Sequence, residues 1–159
     1  MKLFFSFGLL LLFIVSNAQS KPVQSLSVEL GKNGLIVSLI YDYKFSESQF
    51  GFRAGAGSNF AKYLRAYTVT AGGYKLFGGT NSFFELGIEI QYLDIDEVSD
   101  DQKGFVFLYP DFTTKTLFTS LNLGFRKYSK KSILRAGFAP GFTKHGFLPG
   151  AYLSFGVKW

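Results

Sequence analysis

Apolar and polar residues alternate with a period of two along most of this chain, the spacing of strands with two unlike faces rather than of helices. Leu35, Val37, Leu39, Tyr41, Tyr43 and Phe45 share one face, while Ser38, Asp42 and Lys44 share the other with Ile36 and Ile40. Phe84, Leu86, Ile88, Ile90 and Tyr92 are likewise opposed to Glu85, Gly87, Glu89 and Gln91. Leu117, Thr119, Leu121, Leu123 and Phe125 are opposed to Ser120, Asn122, Gly124 and Arg126. The last stretch sets Ala151, Leu153, Phe155, Val157 and Trp159 against Tyr152, Ser154, Gly156 and Lys158. Alternation and turn residues together predict strands at 24–31, 34–45, 50–58, 65–77, 82–94, 114–128, 133–141 and 150–159. In the fourth strand the pattern breaks at Gly72-Gly73, where a bulge is expected.

The connections alternate as well. Ser46–Gln49, Gly78–Asn81 and Ser129–Ser132 read as tight polar turns, and the links at 58–64, 95–113 and 142–149 are longer. Lys32-Asn33-Gly34 is the exception, a short link on the long-loop side. Phe105–Tyr109 has the composition of one more strand, but an odd count would spoil closure, so it is read as part of a hairpin beyond the barrel. Short turns at one end and long loops at the other are the plan of an up-and-down barrel that crosses an outer membrane, with the short turns and both termini periplasmic.

A soluble barrel also alternates, with its apolar row turned inward, so the faces decide between the two. The polar rows here are sparse and rich in glycine (Gly51, Gly55, Gly57, Gly87, Gly124, Gly137, Gly156), which suits a crowded lumen better than a solvated exterior. Aromatic residues gather at strand ends: Tyr41, Tyr43, Phe45 and Phe50, then Phe77, Phe83 and Phe84, then Phe125, Tyr128 and Trp159. That distribution matches an interfacial girdle. The expected fold is therefore all-β, an eight-stranded antiparallel transmembrane β-barrel. The alternative is a soluble periplasmic, lipocalin-like ligand-binding barrel, which needs the apolar rows inside. Met1-Lys2, the apolar run Leu3–Val15 and the small residues Ser16-Asn17-Ala18 have the layout of a secretory signal peptide. The domain reading is thus a signal peptide over 1–18 and a barrel over 19–159, exported through the inner membrane to the outer one.

Charge adds an interior. The chain carries a formal net charge of +6 and no Cys, so neither a disulfide framework nor a lipoprotein acylation site is available. Apart from Arg126–Lys131, which holds four, the bases are spread singly along strands and turns, without the concentrated basic face that nucleic-acid binding needs. On the face assigned to the lumen, Glu29, Asp42, Glu85 and Glu89 stand against Lys44, Arg53, Arg126, Arg135 and Lys158. If Tyr128 faces Ile133 across the turn at 129–132, Arg126 lies opposite Arg135, and Glu85 on the neighbouring strand is at similar depth. This set reads as a salt-bridge network filling the lumen, because eight strands leave room only for side chains. The competing reading is a charge-lined pore or ion site.

Catalytic chemistry finds little support. His145 is the single histidine, beside Lys144 in a long loop, and the nearest downstream serine, Ser154, is on the lumen face, a poor geometry for a His–Ser pair. No catalytic residue and no cofactor is assigned, although a lipid-modifying acyl hydrolase or transferase stays as an alternative. One histidine and no cysteine make no zinc site. Asp94, Asp96, Glu97, Asp100 and Asp101 form an acidic stretch in the longest loop, but their spacing matches no EF-hand, and no metal site is assigned.

The chain resembles the small outer-membrane β-barrel proteins of Gram-negative bacteria, in the size class of the OmpA and OmpX barrels. It is similar more specifically to a largely uncharacterised group with recurring strand phrases. Those matched are Val28–Gly34 leading into Ser38–Tyr41, Phe52–Gly55, Phe84–Gly87, Gly124–Tyr128, Arg135–Phe138 and Phe147–Pro149. The resemblance implies fold and location and assigns no activity. The expected partners are outer-membrane lipid and lipopolysaccharide, the barrel-assembly machinery, which would read the terminal row Leu153, Phe155, Val157 and Trp159, and an unidentified extracellular or envelope partner.

Overall fold

A computed structural model describes residues 22–32, 36–46, 48–60, 64–97, 115–143 and 146–159. The strands are β1 (Val23–Gly31), β2 (Ile36–Lys44), β3 (Phe50–Ser58), β4 (Leu64–Gly78), β5 (Ser82–Glu97), β6 (Lys115–Tyr128), β7 (Ser132–Phe138), β8 (Gly141–Thr143), β9 (Gly146–Leu148) and β10 (Ala151–Lys158). All pairings are antiparallel, and β1 joins β10 to close the sheet. The closing seam ends in a reciprocal backbone pair, Gln24 with Trp159, at 3.2 and 3.0 Å.

The wall has eight strands, because β7 with β8, and β9 with β10, are each one strand interrupted by proline. Proline has no N–H to give to a ladder. Pro140 still accepts from Leu121 N at 3.0 Å, and Ala139 N donates to Gly150 O at 2.7 Å, so neighbouring backbone groups carry the wall through the break. One circuit of the registers from Tyr128 passes Ile133, Gly156, Ser27, Ile40, Gly55, Thr70 and Gln91, and returns to β6 at Phe118. The stagger is therefore ten residues (128 minus 118). For eight strands that stagger corresponds to a tilt of about 40° and a backbone radius of about 8 Å. Such a cylinder is filled by its own side chains.

The wall is uneven in height. β1, β2 and β3 have 9 residues each, whereas β4, β5 and β6 have 15, 16 and 14. At that tilt nine residues rise about 23 Å, close to the ~25 Å apolar band of an outer-membrane barrel. The longer strands therefore stand above the band on one side. β5 runs to Glu97, paired with Leu64, so Asp96 and Glu97, expected in the link at 95–113, belong to the strand together with Asp94. The expected bulge at Gly72-Gly73 is also absent: the register passes unbroken from Ala71↔Ile90 through Gly72↔Glu89 and Gly73↔Ile88 to Tyr74↔Gly87. The irregularity lies in residue type alone, since Gly73 keeps an outward position without a side chain. The signal segment, Phe105–Tyr109, Asp100, Asp101, Lys144 and His145 lie outside the described residues.

Polarity is inverted relative to a water-soluble barrel. Leu39 is 52 % exposed and Ile90 58 %, while Glu85 and Arg126 on the opposite face are 0 % exposed. The terminal row Leu153, Phe155, Val157 and Trp159 is wholly on the outside. The soluble ligand-binding alternative required these rows inside, and their outward direction overturns it. Two aromatic residues leave the expected girdle. Phe83 and Tyr128 turn inward and meet edge to face at 5.8 Å.

Candidate functional site: the charged core of the lumen

The lumen is layered. At the short-turn end Leu76, Ile133, Tyr74 and Tyr128 form an apolar plug, with Val23 and Phe83 packed on it. At the far end Ala66, Leu93 and Phe118 form another, with Ile95 and Leu148. Between them lie the charges.

The β6–β7 hairpin sets Arg126 in register with Arg135. Two buried guanidinium groups side by side need shared anions, and Glu85 on β5 stands beside both. Its Oε2 accepts from Arg126 Nε at 2.6 Å and Arg135 Nε at 3.3 Å, and its Oε1 accepts from Arg135 Nη2 at 3.0 Å. Arg53 Nη2, from β3, also donates to Oε1. Asp42 on β2 takes Arg126 in a two-pronged contact, Nη1 at 3.0 Å and Nη2 at 2.8 Å, the geometry in which an Arg–carboxylate pair is strongest. Tyr74 donates to the same Asp42 at 2.5 Å, and Arg126 donates to the Tyr128 hydroxyl at 2.8 Å.

A second cluster lies one turn of side chains higher. Glu29 accepts from Arg135 Nη1 at 3.1 Å and lies 3.0 Å from Lys32 Nζ. Lys32 also donates to Glu89 Oε2 at 2.8 Å, and Thr70 donates to that oxygen at 2.9 Å. Glu89 Oε1 has the approach of Arg53 Nη1 at 3.3 Å and no well-formed hydrogen bond.

Two tyrosines separate the cations. The Tyr74 ring lies 4.7 Å from the Arg53 guanidinium and 4.1 Å from that of Arg126. The Tyr152 ring lies 5.1 Å from both Lys32 and Arg135. Each ring thus offers its negative face to two positive groups. The room for these rings comes from their register partners on the adjacent strands: a Cβ at Gly51 would run into the Tyr74 ring, and one at Gly137 would stand 3.0 Å from the Tyr152 hydroxyl.

Of the charges assigned from sequence, Glu29, Asp42, Arg53, Glu85, Glu89, Arg126 and Arg135 meet in this one network, all buried. Lys44 and Lys158 do not join it. Both are half-exposed at the short-turn mouth, where Lys44 Nζ reaches the Phe45 carbonyl at 3.4 Å and Lys158 lies over the Tyr128 ring at 5.2 Å. Lys32, read from sequence as a turn residue, takes their place. Gly31 and Lys32 both have positive φ (98° and 61°), and at the end of that backbone reversal the lysine is buried. The result is four carboxylates (Glu29, Asp42, Glu85, Glu89) against four cations (Lys32, Arg53, Arg126, Arg135), a set with no net charge.

Reactive chemistry is sparse among the described residues. Ser154 is buried on the lumen wall, in register with Arg135, and not at the lipid-facing surface. No group of three or more metal-ligating side chains occurs among the described residues, and Asp94 has Lys115 as an ion-pair partner at 3.8 Å.

No protein-family model matches this chain, and no curated protein does. Solved structures do. The N-terminal β-barrel domain of OprF from Pseudomonas aeruginosa is similar over 87 % of this chain and 97 % of that one, with a TM-score of 0.69 and 10 % identity. The outer-membrane protein Ail of Yersinia pestis, solved in a phospholipid bilayer nanodisc, is similar over 87 % of this chain and 100 % of that one, with a TM-score of 0.51 and 8 % identity. The chain has the fold of the small eight-stranded outer-membrane β-barrels. At this identity the likeness is one of fold.

Proposed function

We propose that this protein is an integral outer-membrane barrel whose lumen is sealed by its own charges, and that it acts structurally or through contacts of its outer loops with an envelope or surface partner. The carrying observation is the pairing of an exposed aliphatic exterior with a charge-neutral, buried interior. Water would have to cross two apolar plugs and a network in which any broken pair leaves an uncompensated ion. On this reading residues 1–18 are removed on export, the short turns and both termini are periplasmic, and Leu153, Phe155, Val157 and Trp159 present the last strand to the assembly machinery.

The test uses the full mature chain in planar bilayers and in vesicles. The wild type is expected to show no steady large conductance, and Leu39→Arg, at mid-strand on the outside, to destabilise the barrel by about 2–4 kcal/mol in lipid. Porin-like conductance, or an Leu39→Arg barrel as stable as wild type, would overturn the proposal.

A further inference from the structure

The network leaves a group of lysines with no carboxylate partner among the described residues. Lys75, Lys127, Lys130 and Lys131 lie on the outer surface of the short-turn end, on the outward rows of β4 and β6 and in the β6–β7 turn. Asp42 and Glu85, described acids on the strands that lead to this end, are buried inside and already bonded. In sequence the three short turns contain one acid, Glu47, which is outside the described residues.

The opposite end differs. There Lys115 pairs with Asp94, and the links carry Asp100, Asp101 and Asp111 as well as Lys62, Lys103 and Lys144. One end mixes its charges and the other is basic.

The setting of these lysines narrows the partner. Lys75 Nζ lies 5.1 Å from the ring of Phe50 and 5.1 Å from that of Phe77, both exposed on the outer wall. Lys127 follows exposed Phe125 on the same row and is in register with exposed Leu134. A lysine stem laid along aromatic rings, with its ammonium at the edge of an apolar band, is the arrangement of a side chain reaching from hydrocarbon to headgroups. At that depth the available counter-charge is a phosphodiester.

We propose that this end of the barrel is a collar for anionic glycerophospholipid, in which the four lysines bind headgroup phosphates of the surrounding leaflet. The proposal rests on the membrane reading above. Each lysine near an anionic surface is expected to contribute about a fivefold preference at low salt.

Trp159 is the only tryptophan, it is exposed at this same end, and the neighbouring Lys158 N bonds to Lys131 O at 3.0 Å. It therefore reports the lipid beside Lys127, Lys130 and Lys131. Full mature chain is folded in phosphatidylcholine vesicles doped with either brominated phosphatidylglycerol or brominated phosphatidylcholine, and quenching of Trp159 is compared. The expected result is stronger quenching by the phosphatidylglycerol. That preference should weaken with salt and be lost in the triple variant Lys127→Gln, Lys130→Gln, Lys131→Gln, checked for folding by heat-modifiable migration. Phe50→Trp in a Trp159→Phe background moves the reporter to Lys75, where Lys75→Gln should abolish the local preference in a single-site variant. Lys115→Gln at the other end should change neither signal. Equal quenching by the two lipids in wild type, or a preference that survives both sets of substitutions, would overturn the collar. Absence of quenching by either lipid would instead overturn the membrane reading beneath it.

Discussion

Glu85 and Glu89 occupy the same strand and the same face, four residues apart, yet they are held differently. Glu85 is the meeting point of Arg53, Arg126 and Arg135, all from strands. Glu89 has Thr70, one arginine approach and a lysine delivered by a turn. Removing a shared anion from among three buried cations leaves like charges facing each other in low dielectric, whereas removing one that a lysine shares with Glu29 leaves that lysine a second partner. Position on the wall is equivalent for the two residues. Redundancy is not.

The largest expected effect follows directly. Glu85→Gln should destabilise the barrel by about 3–5 kcal/mol, measured by reversible urea unfolding in vesicles, because three arginines lose one acceptor. Glu89→Gln should cost less, about 1–3 kcal/mol. Its cost should overlap with that of Lys32→Met, so the double variant loses less than the sum of the singles. Equal costs for the two glutamates would abolish the distinction, and strict additivity with Lys32→Met would show that the turn lysine is no true partner. Smallest of all, Thr70→Val should cost about 0.5–1.5 kcal/mol, the loss of one donor to Glu89. A larger penalty there than for Glu89→Gln would mean that the hydroxyl, and not the lysine, orients that carboxylate.

Much of the arginine pairing is legible in the sequence. A tight turn at 129–132 leaves few registers, and the simplest pairs Tyr128 with Ile133 and so Arg126 with Arg135, as the structure has it. Depth from the turns brought Glu85 to the same level. The Lys32 contact was not legible. A lysine in a short polar link is ordinarily solvated, and its burial depends on two successive positive φ angles that composition does not announce. The swap of Lys44 and Lys158 for Lys32 has the same origin, since alternation gives the face of a residue but not whether its level is sealed or open at the mouth. Phe83 and Tyr128 share the parity of Glu85 and Arg126 respectively, so alternation places them inside, although their position beside a turn suggests the girdle. The interruptions at Pro140 and Pro149 carried a signal in the residues themselves, because neither can donate to a ladder.

The face-to-face arginines of β6 and β7 bear on the order in which the wall is put together. A two-strand piece made of β6 and β7 alone sets like charges opposite each other with no acid between them. The smallest contiguous piece in which both cations meet an anion is β5–β6–β7, through Glu85, and their remaining carboxylate contacts come from Asp42 on β2 and Glu29 on β1. Hairpins added two strands at a time would strand this pair until a third neighbour arrived. The interior thus favours growth by a sheet already wider than a hairpin, and it is fully neutralised only when the first two strands come round to meet the last.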